Sequence, residues 1–305
     1  MNPHETARGI LLSVVASALF ALMSGYTRWL APPLTSLDIF AWRVLWTLPM
    51  VMLVLSRRGQ LPALRLAIGE LLRAPLQALL FVGMTSLLGL QFWLFLWAPL
   101  HDRALEVSLG YFLLPLSMVM LGRFYYGERL GRLQQLAVAC AVAGVLHEIW
   151  MTRSLSWPAL IVALGYPPYF VLRRRLHYDS LVMFTMEMLV MAPLALLALF
   201  STGTLQATLT QPSMYLLLPV LGLLSTAALA CFLRAGKLLP MSLFGILGYV
   251  EPVLLVAVAV LVLGESLSLQ QLGTYVPIWL SVGFTALHSA RLMRRLQARD
   301  AATRK

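Results

Sequence analysis

Residues 105–136 read LEVSLGYFLLPLSMVMLGRFYYGERLGRLQQL, and residues 241–272 read MSLFGILGYVEPVLLVAVAVLVLGESLSLQQL. Each stretch holds a proline inside an apolar run, Pro115 in one and Pro252 in the other. Each then reaches a Gly-Glu pair, Gly127-Glu128 and Gly264-Glu265, with twelve positions from proline to glycine in both. Each closes on Gln-Gln-Leu, at Gln134-Gln135-Leu136 and Gln270-Gln271-Leu272. An internal ruler kept over so long a stretch marks two copies of one helical unit.

The rest of the chain fits a duplicated membrane unit. Of 305 residues, 60% are hydrophobic and only 11% are charged, where a soluble domain carries about a quarter. A membrane span needs roughly 20 apolar residues. Such stretches fall near 9–30, 38–56, 75–99, 104–122 and 132–150, then near 156–172, 181–200, 213–236, 240–262 and 270–289. The apolar run after Arg8 reads as an uncleaved first span rather than a signal peptide. Five spans per half is an odd number, so the second half inserts upside down, a plan typical of secondary transporters. The sequence therefore predicts an all-α polytopic membrane protein of ten transmembrane helices in two inverted five-helix repeats. The first repeat covers 1–153, and the second, with a basic tail, covers 154–305.

The formal net charge of +11 would suggest nucleic acid in a soluble protein, but topology accounts for it better. With the N-terminus in the cytoplasm, all but four of the 23 Lys and Arg residues fall on inside segments. The exceptions are Arg28, Arg103 and Arg153 outside and Arg43 within a span. That asymmetry predicts cytoplasmic N and C termini. The loop from Arg57 to Ala74 spaces Leu61, Leu64, Ile68, Leu71 and Leu72 at near-helical intervals. It reads as a short helix lying on the inner leaflet.

Charged groups inside a span cost roughly 2.5 kcal/mol or more, so each needs a reason. Arg43 lies about one turn into the second span. It either snorkels to the outer headgroups, paired with Asp38, or clamps an anionic group in a cavity. Glu106 opens the fourth span, either as a first-turn acid or as a partner for Arg43. Glu187 enters the seventh span and is read as facing a cavity. Glu251 sits in the middle of the ninth span, beyond the reach of snorkelling, and is the candidate proton-coupling group. Pro115 and Pro252 each free a backbone carbonyl one turn upstream and are read as helix breaks near the midplane. Tyr111 and Tyr249 precede them, and Gln91 adds a polar position in the third span. The substrate-lining candidates are thus Arg43, Gln91, Glu106, Tyr111, Glu187 and Tyr249, with Glu251 as the coupling residue.

Catalytic signatures are absent from the sequence: it has no HExxH, GxSxG or GxxxxGK. His147-Glu148 lacks the second histidine that a zinc site needs. Cys140 and Cys231 lie in apolar runs and read as free thiols rather than a disulfide. The chain is read as a non-enzyme without metal or cofactor, working with a small-molecule substrate and the lipid bilayer rather than nucleic acid.

At this level of detail the chain resembles the drug/metabolite transporter superfamily, with two EamA-type repeats, and within it the RarD-like branch. The residues that carry the resemblance are Asp38-Ile39-Phe40-Ala41-Trp42-Arg43-Val44-Leu45-Trp46, Leu96-Trp97-Ala98, Leu105 to Phe112 with Pro115, Glu187, Gly264-Glu265 and Ile278-Trp279. The resemblance spans essentially the whole chain. It implies a ten-helix carrier of the bacterial inner membrane. On the residues, the chain is read as a secondary transporter, monomer or homodimer, that exports small metabolites or drugs by alternating access, with protons as the candidate coupling ion through Glu251. A lipid-carrier flippase and a non-transporting receptor or subunit are the alternative readings. The chain departs from the usual family pattern at Asp38, Trp42, Gln91, Leu114, Gly248 and Glu251.

Overall fold

Helices account for all the regular structure in the computed structural model, which describes residues 3–26, 30, 34–100, 104–153, 157–251, 253–254, 257 and 269–303. The helices are α1 (Pro3–Tyr26), α2 (Ser36–Arg57), α3 (Leu61–Arg73), α4 (Pro75–Leu100), α5 (Ala104–Met120) and α6 (Arg132–Thr152). They continue with α7 (Trp157–Arg175), α8 (Ser180–Thr202), α9 (Thr204–Leu209), α10 (Met214–Leu238), α11 (Met241–Leu247) and α12 (Leu269–Thr303). Among the described residues, α1, α2, α4, α6, α8 and α10 are each long and apolar enough to cross a bilayer. Their outer faces are greasy: Leu76, Leu79, Leu194, Phe200 and Leu216 all stand exposed. A soluble protein avoids such continuous apolar cover, and lipid satisfies it.

Local chemistry sets the helix ends. The Thr35 hydroxyl accepts from Asp38 N at 3.3 Å, and the Asp38 carboxylate accepts from Thr35 N at 2.9 Å, a reciprocal cap on α2. Asp179 caps α8 by accepting from Leu181 N at 2.8 Å, and Gly203 closes that helix at φ +68. In α7, Pro167 offers no N–H to the Ala163 carbonyl. Ser117 of α5 fills the gap by donating to that carbonyl at 2.5 Å. The predicted inner-leaflet helix is α3; Leu64, Ala67 and Leu71 bury against the bundle, while Leu66 and Leu72 face outward.

The two expected helix breaks fare differently. α5 runs through Pro115 without ending and leaves the α-helical pattern only at a π-helical turn, Leu121–Tyr125. The ninth span is not one continuous helix: α11 stops at Leu247, and Gly248 and Tyr249 form a turn before helical geometry resumes at 250–251. Glycine is a poor helix former, and a proline at 252 has no N–H for the Gly248 carbonyl. Pro252, Gly264 and Glu265 themselves lie outside the described residues.

The helices pair mainly across the two halves of the chain. The most extensive pairs are α1 with α10, α6 with α12, α2 with α8, α5 with α7, α2 with α10, α5 with α11 and α4 with α7. Three of them run antiparallel. Asp38 at the start of α2 meets Thr202 at the end of α8. His147 near the end of α6 meets Thr274 near the start of α12. Along the third pair, Gly245 of α11 lies against Pro115 and Met118, and Gly122, just past α5, lies against Ser242. An added Cβ at Gly245 would stand 2.7 Å from the Pro115 carbonyl oxygen, so glycine permits that crossing.

Candidate functional site

Arg43 lies on the inner face of α2. Its Nε donates to Ser225 Oγ at 2.9 Å, and its guanidinium sits 5.0 Å from the centre of the Phe92 ring. Ser225 is fully buried, halfway along α10. Arg43 therefore points into the bundle, and the snorkelling alternative fails. Asp38 is not its partner, because that buried carboxylate is taken up by Thr35, Thr202 and Thr204.

Three further groups converge on Arg43. Tyr111 of α5 and Tyr166 of α7 share a hydrogen bond between their hydroxyls. Both tyrosines and Glu251, just past the α11 turn, lie within electrostatic reach of the guanidinium. Four segments thus deliver one cation, one carboxyl group and two phenols to a single interior place. Low dielectric there strengthens each interaction. A guanidinium offers a planar fork to an anionic group, the phenols offer donors, and the carboxyl group can take or release a proton.

The other sequence candidates lie elsewhere. Gln91 is buried and its Nε2 donates to the Ile161 carbonyl at 2.8 Å, against Gly165, where a Cβ would stand 2.0 Å away. It joins α4 to the α7 backbone. Tyr249 is buried among Phe112, Ala141, Val145 and Ile278, and its hydroxyl donates to the Phe112 carbonyl at 2.9 Å. That carbonyl is three residues before Pro115, so Tyr249 satisfies backbone beside the proline and does not line the Arg43 group. Glu187 is fully buried and forms an ion pair with Arg173 of α7, not with Arg43. The Tyr169 hydroxyl also donates to Glu187 at 3.1 Å. The Glu106 backbone lies in α5, but its side chain lies outside the described residues.

Tyr166, Ser225 and Arg173 escaped the sequence reading. Tyr166 carried a signal, since it precedes Pro167-Pro168 as Tyr111 and Tyr249 precede their prolines. Arg173 belongs to the run Arg173-Arg174-Arg175, which reads as a solvated inside loop. Ser225 carried no distinguishing signal. The Gly-Glu motif also has a role that the repeat pattern alone could not show. The Glu128 carboxylate accepts from Met241 N at 2.7 Å and Ser242 N at 2.8 Å, and also from the Ser242 hydroxyl. It caps α11 from the other half of the chain. Among the described residues, no cluster of three His, Cys, Asp or Glu could hold a metal ion, and Cys140 and Cys231 are free.

Known proteins share this chain's sequence and fold. The model of the EamA-like transporter family matches residues 7–147 and again residues 156–287. Chloramphenicol-sensitive protein RarD of Pseudomonas aeruginosa is 52% identical over 295 residues, covering 96% of this chain and 98% of that protein. An uncharacterized transporter of Haemophilus influenzae is 37% identical over 277 residues, 90% of this chain and 92% of its own length. Protein RarD of Escherichia coli is 29% identical over 298 residues, 97% of this chain and 99% of its own length. One crystal structure at 19% identity matches with a TM-score of 0.67 over 94% of this chain and 99% of that one, which shows a shared fold. The chain belongs to the EamA-like transporter family, in the RarD-like branch of the drug/metabolite transporter superfamily.

Proposed function

We propose that the chain is a secondary active transporter that exports small metabolites or drugs across the bacterial inner membrane by alternating access. The observation that carries this reading is the convergence of Arg43, Tyr111, Tyr166 and Glu251 from both halves of the chain. A membrane scaffold has no use for buried charges at that place, and a carrier needs them. Arg43 holds an anionic group of the substrate, the tyrosines orient it, and Glu251 carries the coupled proton.

The pairing of helices supports two inverted five-helix repeats. If α1, α2, α4, α5 and α6 correspond to α7, α8, α10, α11 and α12, then α2–α8, α5–α11 and α6–α12 each pair a helix with its own equivalent. The α1–α10 and α4–α7 pairs are then each other's images. Antiparallel self-pairs are what an in-plane two-fold axis produces. The alternating-access motion takes place between the halves, with both termini in the cytoplasm.

Flux into proteoliposomes tests the reading. A thermal-shift screen of small anionic metabolites, with chloramphenicol included because of the P. aeruginosa relative's name, supplies the ligand. With that ligand, Arg43→Lys is expected to lose most of the flux while expression and melting stay near wild type, because an ammonium cannot copy the guanidinium fork. Glu251→Gln is expected to lose accumulation driven by a pH gradient and keep exchange down a substrate gradient. Binding without flux in the wild type would instead indicate a receptor, and flux unchanged in both variants would remove the site.

A further inference from the structure

A second carboxylate, Glu187, lies apart from the Arg43 group, about two turns into α8. Glu187 has no exposed surface. Its Oε1 takes both Arg173 and Tyr169, while its Oε2 has no hydrogen-bond partner among the described residues. An ion pair built only to stabilise the fold would satisfy both oxygens, because a buried charge left half-bonded is costly. Arg173 in turn donates to the Ser180 carbonyl at 2.9 Å.

Arg173 also lines a cavity of about 10 Å³, with Phe170, Arg174, Tyr178, Ser180 and Lys237. That is room for about one water. Ser180 Oγ in the same wall is buried and unpartnered, as a group hydrogen-bonded to such a water would be. A water held in that cavity would be separated from Glu187 by the single side chain of Arg173. In the proposed orientation the cavity lies at the cytoplasmic end of the bundle.

We propose that Glu187 is a second proton-binding carboxylate, loaded from the cytoplasmic side beside Arg173 and separate from Glu251. A proton from cytoplasmic water adds to Oε2, and the carboxylate becomes a neutral acid. Arg173 keeps its charge, so the pair gains one net positive charge, and release is the reverse step. The Tyr169 hydroxyl accepts from Arg173 and donates to Oε1, so it holds the two together in either state. The Tyr169 ring packs edge-on against Tyr166, with 6.4 Å between centroids. Residues 166, 169 and 173 share one face of α7, and that face joins Glu187 to the Arg43 group.

The charged and titratable surroundings of Glu187 are few. From α7 come Arg173 and Tyr169. From α10 come Arg234, paired with Asp179 at 3.3 Å, and Lys237, which donates to the Tyr178 carbonyl at 2.8 Å. From α3 comes Glu70; burial and this neighbouring carboxylate push the Tyr178 phenol above its usual value, so it stays neutral. α4 has no ionisable residue. Of those on α2, Asp38 is held at the far end of α8, Arg43 lies in the other group and Arg57 is exposed.

The inference rests on the transport reading for its purpose, but its test needs no substrate. Infrared difference spectra of the purified full-length protein, acidic against alkaline buffer, show each buried carboxylic acid as its own C=O band. Glu187→Gln is expected to remove one pH-dependent band that Glu251→Gln retains. A Glu187→Gln spectrum identical to wild type would mean that Glu187 never takes a proton, and would overturn the proposal. If Glu187→Gln does not fold, Tyr169→Phe serves instead. It removes one donor from Oε1 and is expected to move the midpoint of the same band several-fold in proton affinity; an unmoved midpoint would overturn the assignment. Flux that survives Arg43→Lys and Glu251→Gln would sink the transport site and leave these spectra unaffected.

Discussion

Glu128 shows how a single carboxylate can join two halves of a chain. It satisfies the first two N–H groups of α11 and the Ser242 hydroxyl, donors that a helix start otherwise leaves unpaired. Losing a helix cap costs about 0.5–2 kcal/mol. Glu128→Ala is therefore expected to lower stability by about 1–2 kcal/mol in reversible unfolding in detergent, with Ser242→Ala costing less. The double variant is expected to fall short of the sum, because both changes remove one shared interaction. Additive losses would mean that Glu128 does not act through Ser242. At this scale the sequence was legible wherever charge interrupts an apolar run. Arg43 and Glu251 stood out for that reason, and each lies within electrostatic reach of the other. Glu187 stood out as well, nearer its span's end, but its partner sat in an arginine run that looks like loop, so the pairing was hidden. Tyrosines are harder to read, because Tyr111 and Tyr249 share a spacing to proline and only Tyr111 reaches the charged group.

Among the elements, α5 and α11 carry the duplicated motif and diverge in shape. α5 stays helical through Pro115, with Tyr249 donating to the Phe112 carbonyl beside it. α11 lasts only seven residues before its turn. Apolar periodicity gave both as spans, and the identical spacing of Pro115 and Pro252 to their Gly-Glu pairs could not tell which span would be interrupted. The crossing of the two is close because of Gly245, where an added Cβ would meet Met118 Cβ and the Pro115 carbonyl at 2.7 Å each. Backbone cannot move aside as a flexible side chain does. Gly245→Ala is expected to wedge α11 away from α5, cost about 1–3 kcal/mol, and reduce flux with it. Gly83→Ala on α4 is the control, since nothing lies within 4 Å of its added Cβ. That change is expected to be neutral or to stabilise by about 0.5–1 kcal/mol. Equal effects at both positions would show that the crossing has slack.

For the whole molecule, the sequence marks where apolar runs lie, because lipid accepts no unpaired backbone. It does not show which helix packs on which; that takes coordinates, and α1 against α10 could not be read from periodicity. Orientation, by contrast, was argued from charge alone and can be tested with one helix. α8 runs from Ser180 to Thr202, and at about 1.5 Å per residue such a helix spans roughly 35 Å, enough for a hydrocarbon core about 30 Å thick. His177 is exposed just before α8, and Gln206 is exposed just after it, in α9. Arg174 is a poorer probe, because it donates to the Gly236 carbonyl at 2.7 Å and its loss would disturb the turn. In a background with Cys140 and Cys231 replaced by Ala, Gln206→Cys is expected to react with an impermeant maleimide added to intact spheroplasts. His177→Cys is expected to react only after the membrane is opened. The arginines near His177 favour the cytoplasmic side by the positive-inside rule, and the α8-to-α10 segment has no arginine or lysine to oppose export. The reversed pattern would turn the molecule over and move the Glu187 cavity to the periplasmic face. Labelling of both positions from the same side would mean that α8 does not cross at all, and the inverted-repeat reading would fall with it.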